Sequence, residues 1–444
     1  MKFYYIKTFG CQMNEHDSEK LAGILEGMGY FPAAPGQIPD VLLVNTCCVR
    51  ETAEHKALSY LGRLRFKKAR KPQMIIGVCG CMAQREGMAG KLRHVFPYVD
   101  LIFGTHNIAR LPELLERAAR ERGPVVEVLA LPAELAENIP VKRTGNLKAW
   151  VSIIYGCNNF CTYCIVPHVR GRERSRKPED IIREVEDLGK KGYKEVTLLG
   201  QNVNSYGKDL DRPVSFAALL EKLNEVEGIK RIRYTTSHPR DFTDDIIDAV
   251  ARLEKVCENF HLPVQAGSNR ILKMMNRGYT REYYIDLTQK IRRKLPGAAI
   301  TTDIMVGFPG ETEEDFEDTL DLVEKVRFDS SFTFVYNTRP GTPAAEMEDQ
   351  VSPETKKRRI QSLIALQNKI TLEKNREEIG YLHEVLVEET SENKPGTLSG
   401  RSRTNKVIVF KGDPDVIGRI AEVEITDAHL AYLEGSLVRV LDQV

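Results

Sequence analysis

The sequence lacks long apolar runs and an excess of charge of either sign. No apolar run approaches the roughly 20 residues that a membrane-spanning helix needs. The opening residues 1–7 have no small-residue cleavage site behind an apolar stretch, as a secretory signal would have. These absences predict a cytoplasmic protein with no membrane partner.

The charges balance almost completely, with 64 Lys and Arg residues against 63 Asp and Glu residues and a formal net charge of +1. This balance provides no global basic field of the kind that marks many nucleic-acid-binding proteins. Any RNA contact must therefore come from local patches. The length of 444 residues exceeds one ordinary domain and predicts two or three.

Cysteine is the informative residue type. The chain has nine cysteines, and an odd number argues against a disulfide framework and for metal or redox chemistry. We expect Cys48, Cys79 and Cys257 to be small buried residues. The other six cysteines fall into two groups of three.

The first hundred residues alternate between strands and charged helices, which predicts a parallel α/β sheet. The predicted strands are 3–6, 41–44, 74–78 and 99–103. We assign residues 1–122 to this α/β domain. The stretch 123–145 contains several prolines and has weak periodicity, so we interpret it as an interdomain linker.

A second series of strands and helices occupies residues 146–372. The predicted strands are 150–154, 195–199, 231–235, 260–264, 300–306 and 332–335. Six β/α units are fewer than the eight of a closed barrel, so we expect a partial (β/α)6 barrel. Residues 373–444 change to short strands. This last pattern predicts a small β-barrel, a shape often used for oligonucleotides.

Cys157, Cys161 and Cys164 form a C-x3-C-x2-C motif directly after a predicted strand. Three thiolates in one loop can bind three irons of a [4Fe–4S] cube and leave the fourth iron open for a substrate group. The alternative is a structural zinc site, for which His168 would be the fourth ligand.

The spacing of this motif resembles that of the radical S-adenosylmethionine (SAM) superfamily, whose fold is similar to the partial barrel. The resemblance implies a [4Fe–4S] cluster and SAM as cofactors. Two further strand ends look like SAM contacts, one at Gly200 and Gln201 and the other at Gly307 and Glu311, where glycine permits close backbone approach. Either could instead be a plain turn.

Cys11, Cys47 and Cys81 are far apart in sequence, yet each follows a predicted strand of the first sheet. Carboxyl ends of neighbouring parallel strands lie side by side, so three loops could bring these thiolates to one point. On geometry alone, a second cluster and three unrelated buried thiols remain equally good interpretations.

Several segments resemble the methylthiotransferase family, and the resemblance covers nearly the full chain. They are residues 8–14, 45–50, 80–84, 155–167, 170–176, 199–206, 236–239, 262–268 and 302–311. The resemblance implies that Cys11, Cys47 and Cys81 bind a second [4Fe–4S] cluster and that residues 373–444 form a TRAM RNA-binding module. The branch most similar acts on isopentenyl-adenosine in tRNA. Departures at His168, Asn337 and Thr338 put fine specificity in question.

The resemblance also implies a reaction, in which carbon 2 of a modified adenosine next to the tRNA anticodon receives a methylthio group. It implies the tRNA anticodon loop as a partner, and an electron donor such as flavodoxin or ferredoxin. The nearest alternative is a sister methylthiotransferase acting on threonylcarbamoyl-adenosine in tRNA or on a ribosomal-protein aspartate. A non-catalytic, redox-sensing RNA-binding protein is the alternative from another class.

Two basic patches are predicted to contact RNA phosphates. The first contains Arg170, Arg172 and Arg174, and the second contains Arg401, Arg403 and Lys406. Solvated charge without a partner is the alternative for both. His238, at the end of a predicted barrel strand, is a candidate catalytic residue that lines the cavity, or equally a structural histidine in a turn.

Overall fold

The computed structural model describes residues 1–48, 51–121, 123–130, 137, 139–391 and 396–441. Val49 and Arg50 of the motif at 45–50 lie outside the described residues, as does part of the predicted linker (131–136 and 138). None of the described helices is both long and apolar enough to cross a membrane.

The amino-terminal sheet has six parallel strands in the order β2-β1-β3-β4-β5-β6. They are β1 (Lys2–Phe9), β2 (Tyr30–Pro32), β3 (Val41–Thr46), β4 (Ile75–Gly80), β5 (Leu101–Phe103) and β6 (Val125–Glu127). Every residue of β3 is buried, as expected for a parallel strand covered on both faces. The sheet prediction is therefore confirmed.

Strands β2 and β6 were not predicted, and β6 corrects the start of the predicted linker. Each has only three residues and lies at an edge of the sheet. β6 pairs in parallel with β5 and completes one edge of the sheet. The helices of this part are α1 (Gln12–Gly27), α2 (Glu51–Arg70), α3 (Cys81–Gln84), α4 (Met88–Val95) and α5 (Leu111–Arg120).

The central part has six parallel strands in two sheets of three, in the orders β11-β10-β7 and β12-β13-β14. They are β7 (Lys148–Ser152), β10 (Glu195–Leu199), β11 (Arg231–Tyr234), β12 (Asn259–His261), β13 (Ala299–Val306) and β14 (Ser330–Val335). A bridge between Ile232 and Val256 joins the two sheets. This arrangement is the partial barrel that the sequence predicts.

The central part also contains α-helices between and after its strands. They are α6 (Val166–Arg170), α7 (Pro178–Lys190), α8 (Phe216–Asn224), α9 (Asp244–Arg252), α10 (Asn269–Met274), α11 (Arg281–Lys294), α12 (Glu313–Val326) and α13 (Pro353–Glu377). A short antiparallel pair, β8 (Ile154–Tyr155) and β9 (Arg174–Ser175), encloses the loop that carries the C-x3-C-x2-C motif.

The carboxyl-terminal part is a closed five-stranded barrel in the order β15-β16-β17-β19-β18. Its strands are β15 (Leu382–Thr390), β16 (Thr397–Ser402), β17 (Val407–Lys411), β18 (Ile420–Ala428) and β19 (Leu433–Val440). Two buried arginines of β11 attach it to the central sheet. Arg231 donates to the carbonyl oxygen of Arg401 at 2.7 Å, and Arg233 donates to those of Ser402 and Arg403.

Candidate active site at two cysteine clusters

The amino-terminal cysteines lie where three neighbouring strands of the sheet end. Cys11 precedes helix α1 and acts as its N-terminal cap residue, Cys47 directly follows β3, and Cys81 begins α3 directly after β4. The thiols of Cys11 and Cys47 are hydrogen-bonded to each other. Cys11 is exposed, whereas Cys47 and Cys81 are buried.

The neighbouring thiols of Cys48 and Cys79 have raised pKa values, unlike Cys11 and Cys81. The hydrogen bond with Cys47 lowers the pKa of Cys11 to about 6. A hydrogen bond with Cys48 lowers the pKa of Cys81 and raises that of Cys48, so Cys48 is the partner that keeps its proton. Burial in the apolar core raises the pKa of Cys79. These pKa shifts favour the thiolate form at Cys11 and Cys81 over that at Cys48 and Cys79.

The barrel cysteines share one loop but differ in exposure. Cys161 is buried and its sulfur accepts a hydrogen bond from Arg277 at 3.3 Å, whereas Cys157 and Cys164 are half-buried. Burial raises the pKa of Cys157 to about 11 and that of Cys164 to about 12. These two thiols ionise at neutral pH only when a metal bound to the sulfur replaces the proton.

Both donor sets consist of thiols, the ligands that [4Fe–4S] clusters use. Among the described residues, no group of three His, Cys, Asp or Glu side chains converges closely enough to hold one ion. In a [4Fe–4S] cube the thiolates bind different irons, so their sulfurs stand further apart than the ligands of one ion. The exposed His168 lies edge-on to Phe160.

A short helix joins the two cysteine sites. Helix α6 begins at Val166, two residues beyond Cys164, and ends at Arg170. The Nε atom of Arg170 donates to the sulfur of Cys81 at 3.2 Å. Its neighbour Val169 packs in the same apolar cluster as Cys81. The loop of the barrel motif thus adjoins the amino-terminal cysteines directly.

The four residues predicted to contact SAM hold the loops at the strand ends. A Cβ atom at Gly200 would lie 2.4 Å from Ile154 Cγ2, so only glycine fits there. Gln201 accepts a hydrogen bond from the backbone N–H of Gly156, next to the motif.

On the second loop, Gly307 has a φ of +74°. Glu311 is buried, accepts from the Gly307 N–H at 3.0 Å and pairs with Arg359 at 2.8 Å. The loop is therefore anchored within the chain. Contact of these four residues with SAM stays a prediction.

Sequence reasoning missed two strained residues at the same end of the barrel. Thr236, just past β11, has a φ of +71°, and Gln265, beyond β12, has a φ of +74°. Non-glycine residues adopt this conformation rarely, and such residues cluster at functional sites. The loop at Asn202 lies beside Thr236, since the Val203 N–H donates to the Thr236 carbonyl. The buried atoms Asn202 Oδ1 and Ser237 Oγ have no hydrogen-bond partner within the described structure. Gln265 lies in segment 262–268 of the family resemblance, the one signal that pointed to it.

His238 is a buried neutral histidine with one free nitrogen. Its Nδ1 atom accepts a hydrogen bond from the backbone N–H of Arg240 at 3.3 Å, so Nε2 carries the proton. Within the described structure Nε2 has no partner. Burial lowers the pKa of His238 to about 2. The ring can therefore donate a hydrogen bond to a bound molecule, although its catalytic role stays a prediction.

Replacing His238 by glutamine should make the protein more tolerant of mild acid. The pKa of His238 is about 2 in the folded chain, but about 6.5 when unfolded. Only the unfolded chain takes up this proton between those values, so the parent loses about 1.4 kcal/mol of stability per pH unit below about pH 6.5. The His238→Gln variant has no histidine at this position and should not lose this stability. The test is the thermal unfolding midpoint of the parent and the variant at pH 7.5 and 5.5. An equal fall in the midpoint of both proteins at the lower pH would contradict the prediction.

The structure revises three of the six residues predicted to contact RNA. Arg170 is buried against Asp17 and Cys81. Arg403 is paired with Glu258 at 2.7 Å, and Lys406 with Glu378 at 2.9 Å. Acidic residues within the chain neutralise these charges, because both predicted basic patches contact other parts of the fold.

The remaining three arginines stay candidates for RNA contact. Arg172 is exposed, and its guanidinium lies over the ring of Phe160. Arg174 is half-buried in β9. The side chain of Arg401 bonds only to Asn405 among the described residues.

Three family models match the chain. Residues 151–323 match the radical SAM superfamily, residues 3–104 match the uncharacterized protein family UPF0004, and residues 376–438 match the TRAM domain. A solved structure with a similar fold is the radical SAM methyltransferase TsrM from Kitasatospora setae. It has a TM-score of 0.54 and 16% identity, over 78% of this chain and 75% of that one. The fold and the barrel motif define a radical SAM protein.

Relatives of much higher identity extend over the whole chain. A protein named tRNA-2-methylthio-N(6)-dimethylallyladenosine synthase from Pelotomaculum thermopropionicum is 61% identical over 98% of both chains. A protein of the same name from Carboxydothermus hydrogenoformans is 58% identical over 98% of this chain and 99% of its own. The chain belongs to the family of these synthases.

Proposed function

We propose that this protein is a radical SAM enzyme that adds a methylthio group to N(6)-dimethylallyladenosine in tRNA. The observation that carries the proposal is the 61% identity with a synthase of that name over 98% of both chains. The contact between Arg170 and Cys81 supports it, because it brings the barrel motif beside a second set of thiols. The carboxyl-terminal match to the TRAM domain supports a tRNA substrate.

The cofactors in this proposal are SAM and two [4Fe–4S] clusters, one at each cysteine trio. Cys157, Cys161 and Cys164 would hold the first cluster, and the second would be held by three residues at the end of the amino-terminal sheet: Cys11, Cys47 and Cys81. When bound, the barrel cluster supplies the electron that cleaves SAM, and the other supplies the binding point for the transferred sulfur. A small electron-transfer protein such as flavodoxin or ferredoxin would reduce them.

The protein's own groups position and shield this chemistry. The backbone N–H of Gly156 bonds to Gln201 and fixes the start of the motif loop. His238 offers an N–H toward the strand ends, and the strained Thr236 and Gln265 shape the backbone there. The half-buried Cys157 and Cys164 and the exposed Cys11 leave both sites accessible to substrate. When substrate fills these open sites, it would exclude water from the reacting groups.

The test is anaerobic incubation of the reconstituted protein with SAM, a reductant and tRNA that carries N(6)-dimethylallyladenosine. Mass spectrometry of the digested tRNA should detect the 2-methylthio derivative. Parallel reactions with tRNA carrying threonylcarbamoyl-adenosine and with a ribosomal protein should give no product. Product only from one of these would identify a sister methylthiotransferase. SAM left intact in every reaction would favour the redox-sensing alternative.

Replacing Arg172 and Arg174 together by alanine should weaken tRNA binding. Each lost phosphate contact reduces the slope of log affinity against log salt by roughly 0.7 to 0.9. The measurement is a filter-binding titration at several salt concentrations. Arg183→Ala is the matched control, because Arg183 is exposed on α7 and pairs with Asp180. Equal effects in the control and the double variant would contradict this role.

A further inference from the structure

Arg170 lies at the junction of the two cysteine sites, and it was first predicted to contact RNA. Its side chain is only 6% exposed. The Nε atom donates to Cys81 Sγ at 3.2 Å, and Nη2 donates to Asp17 Oδ2 at 2.7 Å. Two nitrogens of the guanidinium are thus bonded within the protein.

These contacts bring together three segments, each of which begins or ends at a candidate iron ligand. Helix α6, which carries Arg170, follows Cys164 of the barrel motif. Helix α1, which carries Asp17, begins directly after Cys11. Helix α3 begins at Cys81 itself. One guanidinium therefore fixes the position of the barrel loop relative to two loops of the amino-terminal site.

The contacts also place hydrogen-bond donors on one ligand sulfur. Cys81 accepts from Arg170 and is hydrogen-bonded to the thiol of Cys48. Donors to a ligand sulfur stabilise the more negative, reduced state of a cluster and so raise its reduction potential. Asp17 neutralises the buried charge of Arg170, so the pair can remain buried.

We propose that Arg170 is a positioning residue for the amino-terminal iron–sulfur site, where it orients Cys81 and raises the reduction potential of the bound cluster. This inference rests on the proposed function, because it requires a cluster at Cys11, Cys47 and Cys81. Partners beyond the direct ligands commonly change metal affinity by about 10- to 100-fold.

The test uses the full-length chain with Cys157, Cys161 and Cys164 replaced by alanine, so that only the amino-terminal cluster can form. In this background, R170Q/D17N removes both charges of the buried pair and leaves no unpaired ion. We expect a more negative midpoint potential in a redox titration followed by electron paramagnetic resonance. We also expect roughly 10-fold faster release of iron to a chelator.

The matched control is R233Q/E195Q, which neutralises another buried pair, at 2.8 Å, in strands β10 and β11. It should leave the potential and the iron release unchanged. An unchanged potential and release rate in R170Q/D17N would overturn the inference. An equal shift in both double variants would overturn it as well.

If R170Q/D17N does not fold, R170K is the second variant. Lysine keeps the charge but lacks the planar fork that reaches Asp17 and Cys81 together. Faster iron release from R170K than from the background protein supports the inference, and equal release with an equal potential overturns it. A background protein that binds no iron at all would instead contradict the proposed second cluster, so the two failures are distinguishable.

Discussion

Replacing Cys161 by alanine should reduce both SAM cleavage and methylthiolation to background. Cys161 is the buried member of the barrel motif and accepts a hydrogen bond from Arg277. Without its thiolate the barrel cluster has only two protein ligands in the loop, and the electron needed for SAM cleavage cannot be delivered. The measurements are 5′-deoxyadenosine formation by chromatography and the methylthio nucleoside by mass spectrometry.

Cys257→Ala is the control for this prediction. Cys257 is also a buried thiol of the central part, but it lies just before β12, at the opposite end of the strands from the motif. We expect the control to keep its iron content and both activities. If Cys161→Ala still forms 5′-deoxyadenosine, the assignment of the barrel motif as the SAM-cleaving site is wrong.

Replacing Cys81 by alanine should separate the two activities. Loss of the amino-terminal cluster should lower iron from about eight to about four per chain. SAM cleavage should continue at the barrel motif, because Cys157, Cys161 and Cys164 are unchanged. Methylthiolation should fall to background, because the binding point for the transferred sulfur is lost. Iron analysis and the two product assays measure these effects in one preparation.

Cys79→Ala is the matched control, since Cys79 lies two residues earlier with its thiol in the apolar core. It should retain about eight irons and full methylthiolation. Cys48→Ala tests the other neighbour in the same way. Methylthiolation that survives in Cys81→Ala but not in Cys79→Ala would show that the wrong thiol had been assigned.

Local pattern was enough to predict the parts of the fold with long, regular elements. The buried run of β3 and the strand–helix alternation predict a parallel sheet, and that topology places the ends of β1, β3 and β4 together. The short strands β2 and β6, at the two edges of this sheet, were missed. The barrel cysteines stood out by their spacing, whereas geometry left Cys11, Cys47 and Cys81 undecided and the family resemblance singled them out.

The surroundings of the cysteines could not be predicted in the same way. Arg170 and Arg172 look alike in sequence, yet one is buried and the other exposed. The difference depends on Asp17, which is 153 residues away from Arg170 in the chain. Left-handed backbone at Thr236 and Gln265 likewise results from tertiary packing. Neither amino-acid type nor spacing predicts such long-range pairs.

The attachment of the carboxyl-terminal barrel has a consequence for how tRNA would bind. Arg231 and Arg233 donate to main-chain carbonyl oxygens of residues 401–403. Side-chain pairs between Arg231 and Glu384 and between Arg403 and Glu258 also hold the joint. The orientation of this module is thus set before any nucleic acid arrives. Binding would then lose little entropy in ordering the two parts.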